Sequence, residues 1–315
     1  MSRSPSKLHR VPRYEVVDGR VQSEKCELNI VEHCNLSCRA CSHLSPVMPR
    51  YVADPSDIER DLTTLARSYR VRWVRLLGGE PLLHPDLPGV IAAARRSGIG
   101  ERIAIVTNGV LLARVPRSLW REVDGIELCL YPGHELPADV VAGFRRLASA
   151  EAVDLRVLPI DVFRESYSEL GTDDDSLVRT IYRRCELAHV WRCHTVAHGT
   201  FFKCPPAYFL PRQLRGLAPG DGIEIDGSPG FAARLLAYLE SPAPLVSCRN
   251  CLGSVGKTIP HTQVKRSAFR GLQERRTEEL VDDALLQARP PSPAARVRRR
   301  ATRLSTRGRT RDRRL

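Results

Sequence analysis

No stretch of this 315-residue chain stays apolar long enough to span a bilayer, and its N-terminus has no apolar signal-peptide core. These two absences predict a soluble, cytoplasmic protein. Aromatic residues stop at Phe269, so the arginine-rich end has nothing on which nucleobases could stack. Cysteine stops at Cys251. Ten cysteines without a secretory signal argue against a disulfide framework and for metal or redox use. The net charge of +13 is unevenly spread, because residues 290–315 hold ten Arg against one Asp. That end has too little apolar content to fold alone. It is expected to be a disordered tail, able to make weak, salt-sensitive contact with a polyanion.

What is present begins with a polar extension, residues 1–25, where Asp18-Gly19 suggests a small hairpin within Tyr14–Gln22. Nothing there has room for a separate peptide-recognition domain. From Cys26 to about residue 184 strand-like and helix-like segments alternate. Strands are predicted at Glu27–Val31, Arg72–Leu77, Arg102–Val106, Gly125–Tyr131 and Asp154–Pro159. Helices are predicted after Asp54-Pro55, with Ile58, Leu62, Leu65 and Tyr69 on one face, and at Leu87–Arg96, Arg117–Glu122 and Asp139–Leu147. Such repeats imply βαβ crossovers and a parallel sheet with chemistry at the C-terminal strand ends. Residues 185–256 are cysteine-rich and loop-rich, with a helix near Phe231–Glu240. Residues 257–289 form a helical segment in which Leu272–Ala288 reads as one amphipathic helix carrying Leu272, Leu280, Ala284 and Leu285.

The first predicted strand runs into Cys34-Asn35-Leu36-Ser37-Cys38-Arg39-Ala40-Cys41. Three thiolates on one tight loop can hold three irons of a four-iron four-sulfur cube and leave the fourth iron without a protein ligand. Alternatively the loop is a zinc knuckle, with His33 or His43 as fourth ligand. Gly78-Gly79-Glu80-Pro81 follows the second strand. Glycines let backbone approach a ligand closely, and the carboxylate can accept from an ammonium. Thr107-Asn108-Gly109 ends the third strand.

Cysteine spacing, the Gly-Gly-Glu stretch and the Thr-Asn-Gly ending together resemble the radical S-adenosylmethionine (radical SAM) superfamily, from about Glu27 onward. The resemblance implies a partial (β/α)6 barrel. It implies a [4Fe-4S] cluster on Cys34, Cys38 and Cys41, whose open iron is chelated by S-adenosylmethionine. Gly78, Gly79, Glu80, Thr107 and Asn108 then belong to the cofactor site. One electron from the cluster would cleave the sulfonium to methionine and a 5′-deoxyadenosyl radical that abstracts hydrogen from substrate. A donor such as flavodoxin or ferredoxin would supply that electron. Two departures stand out. Ala40 replaces an aromatic residue common before the third cysteine, and Leu130-Tyr131-Pro132 ends the fourth strand where a Ser-Leu-Asp-Gly type segment is usual.

Cys185, thirteen residues, Gly199, four residues and Cys204, followed much later by Cys248-Arg249-Asn250-Cys251, resemble the abbreviated auxiliary-cluster module called twitch, a shorter relative of SPASM. The resemblance implies one auxiliary [4Fe-4S] cluster on Cys185, Cys204, Cys248 and Cys251, with Cys193 as a spare that could displace Cys185. A zinc ribbon could use the same residues. With no open iron, an auxiliary cluster would accept an electron, which implies dehydrogenation of a small polar substrate such as a sugar or aminocyclitol. Glu165, Asp161, His189, His194 and His198 are nominal bases. Two alternatives remain open: a peptide-modifying radical enzyme, and a zinc-bearing nucleic-acid-binding protein.

Overall fold

The computed structural model describes residues 13–287. The expected disordered tail at 290–315, with its polyanion contact, and the first twelve residues of the extension lie outside them.

Asp18 and Gly19 both take positive φ (49° and 73°), as a two-residue hairpin requires. They join β1 (Val16–Val17) to β2 (Arg20–Val31) in antiparallel register. The Asp54 carboxylate accepts from the Ser56 amide at 2.7 Å and caps α1 (Pro55–Leu65), which buries Ile58, Leu62 and Leu65. Tyr69, expected on the same helix face, belongs instead to β3 (Tyr69–Gly78). The Val21 amide takes the Ser68 carbonyl at 2.9 Å, and this starts the β2–β3 ladder four residues after the helix ends.

Alternation continues as predicted through α2 (Leu87–Arg96), β4 (Gly100–Thr107), α3 (Arg117–Glu122), β5 (Gly125–Leu130), α4 (Ala138–Ala150) and β6 (Asp154–Pro159). Strands β2 to β6 pair in chain order and all in parallel, forming the partial barrel. One face of this sheet, including Leu28, Ile30, Leu76, Ile105, Ile126 and Leu128, forms the main apolar core. The other face carries charge. Arg75 donates to Glu27 and to Glu127, both at 2.6 Å, and Arg156 donates to Glu127 at 2.9 Å.

Beyond β6 the chain leaves the sheet at β7 (Val162–Arg164). It passes through α5 (Asp175–Arg184) and α6 (Glu186–His189), then returns as β8 (Thr195–Ala197). β8 lies parallel to β2 on the edge opposite β6, so the sixth parallel strand comes from the cysteine-rich region. β9 (Thr200–Phe202), α7 (Pro205–Gln213), β10 (Gly222–Glu224) and α8 (Phe231–Glu240) follow, with β9 and β10 extending that edge antiparallel. β11 (Thr258–Pro260) returns to pair with β7.

The described part of the helix expected at Leu272–Ala288, up to Gln287, is not one helix. It breaks into a 3-10 turn at Gly271–Gln273, α9 (Thr277–Leu280) and α10 (Asp283–Gln287). Its backbone groups are engaged across the fold. The Lys257 amide donates to the Leu280 carbonyl, and the Asp282 amide donates to that of Val255, both at 2.8 Å. Among the described residues no helix is long and apolar enough to cross a membrane.

Candidate functional site

β2 delivers the chain through Glu32 and His33 into Cys34. The loop beyond is anchored by Leu36, Ala40 and Leu44, all buried, with Ala40 and Leu44 in left-handed backbone (φ 56° and 52°). Side chains from distant elements donate to its sulfurs. Asn108 Nδ2 lies 3.8 Å from Cys34 Sγ and 2.7 Å from Asn35 Oδ1, and Gln263 Nε2 lies 3.3 Å from Cys38 Sγ. Residues 262–266 lace the loop further. The Arg39 amide donates to the Thr262 carbonyl and the Val264 amide to that of Ser37, both at 2.9 Å, and Arg266 reaches the Cys34 carbonyl at 3.0 Å. Burial pushes the Cys34 and Cys38 thiols up to about 12 and raises Cys41 too. A metal held here displaces protons, so its binding strengthens as pH rises.

Gly78 and Gly79 permit a close approach, but to backbone. A Cβ on Gly78 would stand 1.9 Å from the Val31 carbonyl oxygen, and one on Gly79 2.0 Å from that of His33. In their place, the Gly79 amide bonds Val31 at 2.8 Å and the Glu80 amide bonds His33 at 3.1 Å. The β3 end is thus clamped to the stem of the cysteine loop. Glu80, 1% exposed, accepts from the Thr107 hydroxyl (2.7 Å), the Asn108 amide (2.8 Å) and the Leu82 amide (3.1 Å). Burial raises its carboxyl above the usual range. Cys34, Cys38, Cys41, Gly78, Gly79, Glu80, Thr107 and Asn108 therefore gather at adjoining strand ends, with Glu80 as the tie between β3 and β4.

Tyr131, just past β5, stacks on His261 at 4.8 Å, and burial together with the thiols of Cys129, Cys38, Cys41 and Cys34 opposes ionisation of its phenol. His261 in turn lies 3.4 Å from Gln263, the residue that donates to Cys38. Among the nominal bases, Glu165 is buried and accepts from Arg39 at 2.7 Å and from Gln273 at 3.0 Å, so it braces the loop. Asp161 is exposed. His189 bonds the Tyr182 carbonyl at 2.8 Å. His194 sits between the Tyr14 hydroxyl (2.8 Å) and the Lys203 carbonyl (3.0 Å), and burial drives its imidazole down to about 3. His198 lies 3.5 Å from the fully buried Glu32. Burial alone would raise Glu32, but hydrogen bonds from His198 and Tyr208 and the charge of Arg212 hold it below the usual carboxylate range. His43, one proposed zinc ligand, packs on Phe209 at 4.9 Å.

A second group of thiols lies deeper. Cys185, Cys204, Cys248 and Cys251 line one small apolar cavity with Ile181, Tyr182 and Leu245. Cys185 stands at the junction of α5 and α6, Cys204 caps α7, and Cys248 lies in the 3-10 turn Val246–Arg249. Cys251 bridges to Tyr167. The buried Asp221 carboxylate holds that turn by accepting from the amides of Val246 (2.6 Å) and Ser247 (2.7 Å). Cys193, the supposed spare ligand, is elsewhere. Its amide bonds the Leu187 carbonyl, and its thiol lies by Glu27, Lys25 and Arg75 on the charged face of the sheet. Lys203 adjoins the cavity, and burial lowers its ammonium to about 8 against the upward pull of Cys204 and Cys248 as thiolates. The four thiols stand around the cavity walls. Among the described residues no three His, Cys, Asp or Glu side chains converge closely enough to hold a single ion.

Asn108 and Gln263 acquire their places beside sulfur only through folding, as Tyr131 does its stack on His261 and Lys203 its bond to Tyr182. Asn108 was marked by its motif and Tyr131 only as a departure. Gln263 and Lys203 carry no sequence signal.

A strand-end cysteine loop on a parallel partial barrel defines a class, and residues 28–128 match the profile of the radical SAM superfamily. The match spans about a third of the chain, so residues 28–128 are similar to a radical SAM domain. The chain is 33% identical over 141 residues to PqqA peptide cyclase of Streptomyces rochei, a match covering 43% of this chain and 38% of that protein. It is 34% identical over 98 residues to GTP 3′,8-cyclase of Acidothermus cellulolyticus, covering 29% and 27%. The chain thus spans less than two fifths of the length of these curated relatives. Among solved structures, BtrN in complex with AdoMet and 2-DOIA is similar over 80% of this chain and 87% of that one, at 14% identity and a TM-score of 0.43. Streptococcus suis SuiB bound to S-adenosylmethionine is similar over 69% and 66%, at 13% identity and a TM-score of 0.35.

Proposed function

We propose that this protein is a radical SAM oxidoreductase acting on a small polar substrate, such as a sugar or aminocyclitol, by dehydrogenation. Cys34, Cys38 and Cys41 hold a [4Fe-4S] cluster with one iron open to S-adenosylmethionine. Cys185, Cys204, Cys248 and Cys251 hold an auxiliary [4Fe-4S] cluster. The chemistry such groups supply is reductive cleavage of the sulfonium at the first site and electron acceptance at the second. The chain's own part is positional. Glu80 orients Thr107 and Asn108, the Asn108 and Gln263 amides donate to sulfur, and Arg39 and Glu165 brace the loop. A flavodoxin or ferredoxin is the expected reductant.

One observation carries this reading: four cysteines from three separate stretches share a cavity, while three others share the strand-end loop. The charged sheet face through Glu27, Arg75 and Glu127 favours a polar substrate. Similarity to a PqqA peptide cyclase favours a peptide substrate as the second reading. The radical SAM match supports a cluster in preference to zinc at the first cysteine loop.

The test is anaerobic reconstitution with iron and sulfide, metal analysis, then reduction with S-adenosylmethionine and a 5′-deoxyadenosine assay. About eight irons per chain and 5′-deoxyadenosine formation are expected. Zinc at the second site would refute the auxiliary cluster, and a colourless, inactive protein would refute the whole proposal. Mass loss of two hydrogens from aminocyclitols or sugars, against a mass change in a candidate peptide, separates the two substrate readings.

A further inference from the structure

Lys203 lies between β9 and α7, immediately before Cys204, and is 1% exposed. Its Nζ donates to the Tyr182 hydroxyl at 2.8 Å and the Ser241 carbonyl at 3.3 Å, and the rings of Tyr238 and Tyr182 lie 5.2 Å and 5.5 Å away. All of these partners are neutral. Among the described residues no carboxylate forms an ion pair with it. A buried ammonium without a counter-anion is costly, so a fold that retains one ordinarily has an anion close by. Tyr182, which accepts from Lys203 Nζ, also lines the cavity of Cys185, Cys204, Cys248 and Cys251, and Cys204 is the next residue, so the negative charge Lys203 faces is that of these thiols once they bind a cluster.

We infer that Lys203 is the fixed countercharge of the second thiol site and raises the reduction potential of the cluster held there. This rests on the auxiliary-cluster reading above. Four thiolates around a [4Fe-4S]2+ core carry a net charge of −2, which becomes −3 when one electron is taken up. In the proposed reaction that electron leaves the substrate radical, whose proton passes to solvent, and the core goes from 2+ to 1+. A fixed ammonium in a medium of low dielectric stabilises the more negative state more strongly. Asp221 acts in the opposite sense on Cys248 and Cys251, with its carboxylate already bonded to the amides of Val246 and Ser247. Lys203 is what offsets it.

The experiment uses the full chain with Cys34, Cys38 and Cys41 changed to alanine, so that the second site is read alone. Iron content is measured after anaerobic reconstitution, followed by a redox titration monitored by electron paramagnetic resonance. Lys203→Met should retain about four irons and lower the equilibrium constant for reduction at least tenfold, a shift of about 59 mV to more negative potential for a one-electron couple. Lys203→Arg should restore most of that shift. Lys203→Gln, which keeps a donor for Tyr182 and Ser241, should behave like Lys203→Met. Retained iron with an unmoved potential overturns the inference and leaves the auxiliary cluster standing. Loss of iron in both neutral variants but not in Lys203→Arg supports the countercharge, whereas loss in all three assigns Lys203 to packing and overturns it. If the parent chain holds no iron at this site, the auxiliary-cluster reading itself has failed.

Discussion

Gly79 shows how little space the cysteine loop leaves at its stem. A methyl there would sit 2.0 Å from the His33 carbonyl oxygen, against backbone that cannot give way. Gly79→Ala is therefore expected to displace the loop and leave the second site intact. Iron should fall from about eight to about four per chain, with 5′-deoxyadenosine formation lost. His194 makes a pH prediction. Its folded-state value of about 3 lies below the usual 6.5, so folding favours the neutral ring. The stability this contributes is present above pH 6.5 and is lost as pH falls toward 3, by at most about 1.4 kcal/mol per pH unit. His194→Gln should flatten that dependence, read as the difference in urea midpoint between pH 7.5 and pH 5. At this scale the grouping of cysteines was readable, Cys34, Cys38 and Cys41 on one loop and the four later thiols around one cavity. It was silent wherever position depends on folding. Gln263 meets Cys38 across 225 residues of chain, and no local pattern marks it. The glycines were legible as points of close approach, but what they approach, Val31 and His33, was not.

Strands and helices followed their periodicity where one face meets core and the other meets solvent or charge. Leu87–Arg96, Arg117–Glu122 and Asp154–Pro159 match their predicted bounds. The misreading at Leu272–Ala288 has a physical origin: apolar residues at helical spacing also suit a segment whose amides and carbonyls bond Val255, Lys257 and Gly171. The charge ladder on the sheet is the element with the clearest energetic consequence. Arg75 is 14% exposed between Glu27 (5%) and Glu127 (14%). Arg75→Met leaves the buried Glu27 with only Lys25, 3.9 Å away, and Glu127 with Arg156 alone, and should cost about 3 kcal/mol in urea unfolding. Adding Glu27→Gln and Glu127→Gln should recover much of that loss, because burial of unpaired charge is what the single variant introduces.

Across the whole molecule, the cysteine-rich region is continuous with the barrel, since β8, β9 and β10 extend the same sheet. Cysteine roles divide accordingly. Cys248→Ala should remove the iron of the second site and leave about four per chain, while Cys193→Ala should leave iron content unchanged, both read by metal analysis after reconstitution. The sequence indicated a barrel followed by a cysteine cluster. It did not indicate that the cluster region reaches back to β2, because a three-residue strand such as Thr195–Ala197 has too few positions to display a period.

That returning strand has a bearing on how the chain is made. Until Thr195 has left the ribosome, part of one margin of the strand that feeds the first cysteine loop offers free amides and carbonyls to any passing chain. The pairing that joins the strand bearing the cysteine loop to the cysteine-rich region thus follows synthesis of the rest of the parallel sheet, and the nascent protein is most prone to aggregate just before it happens.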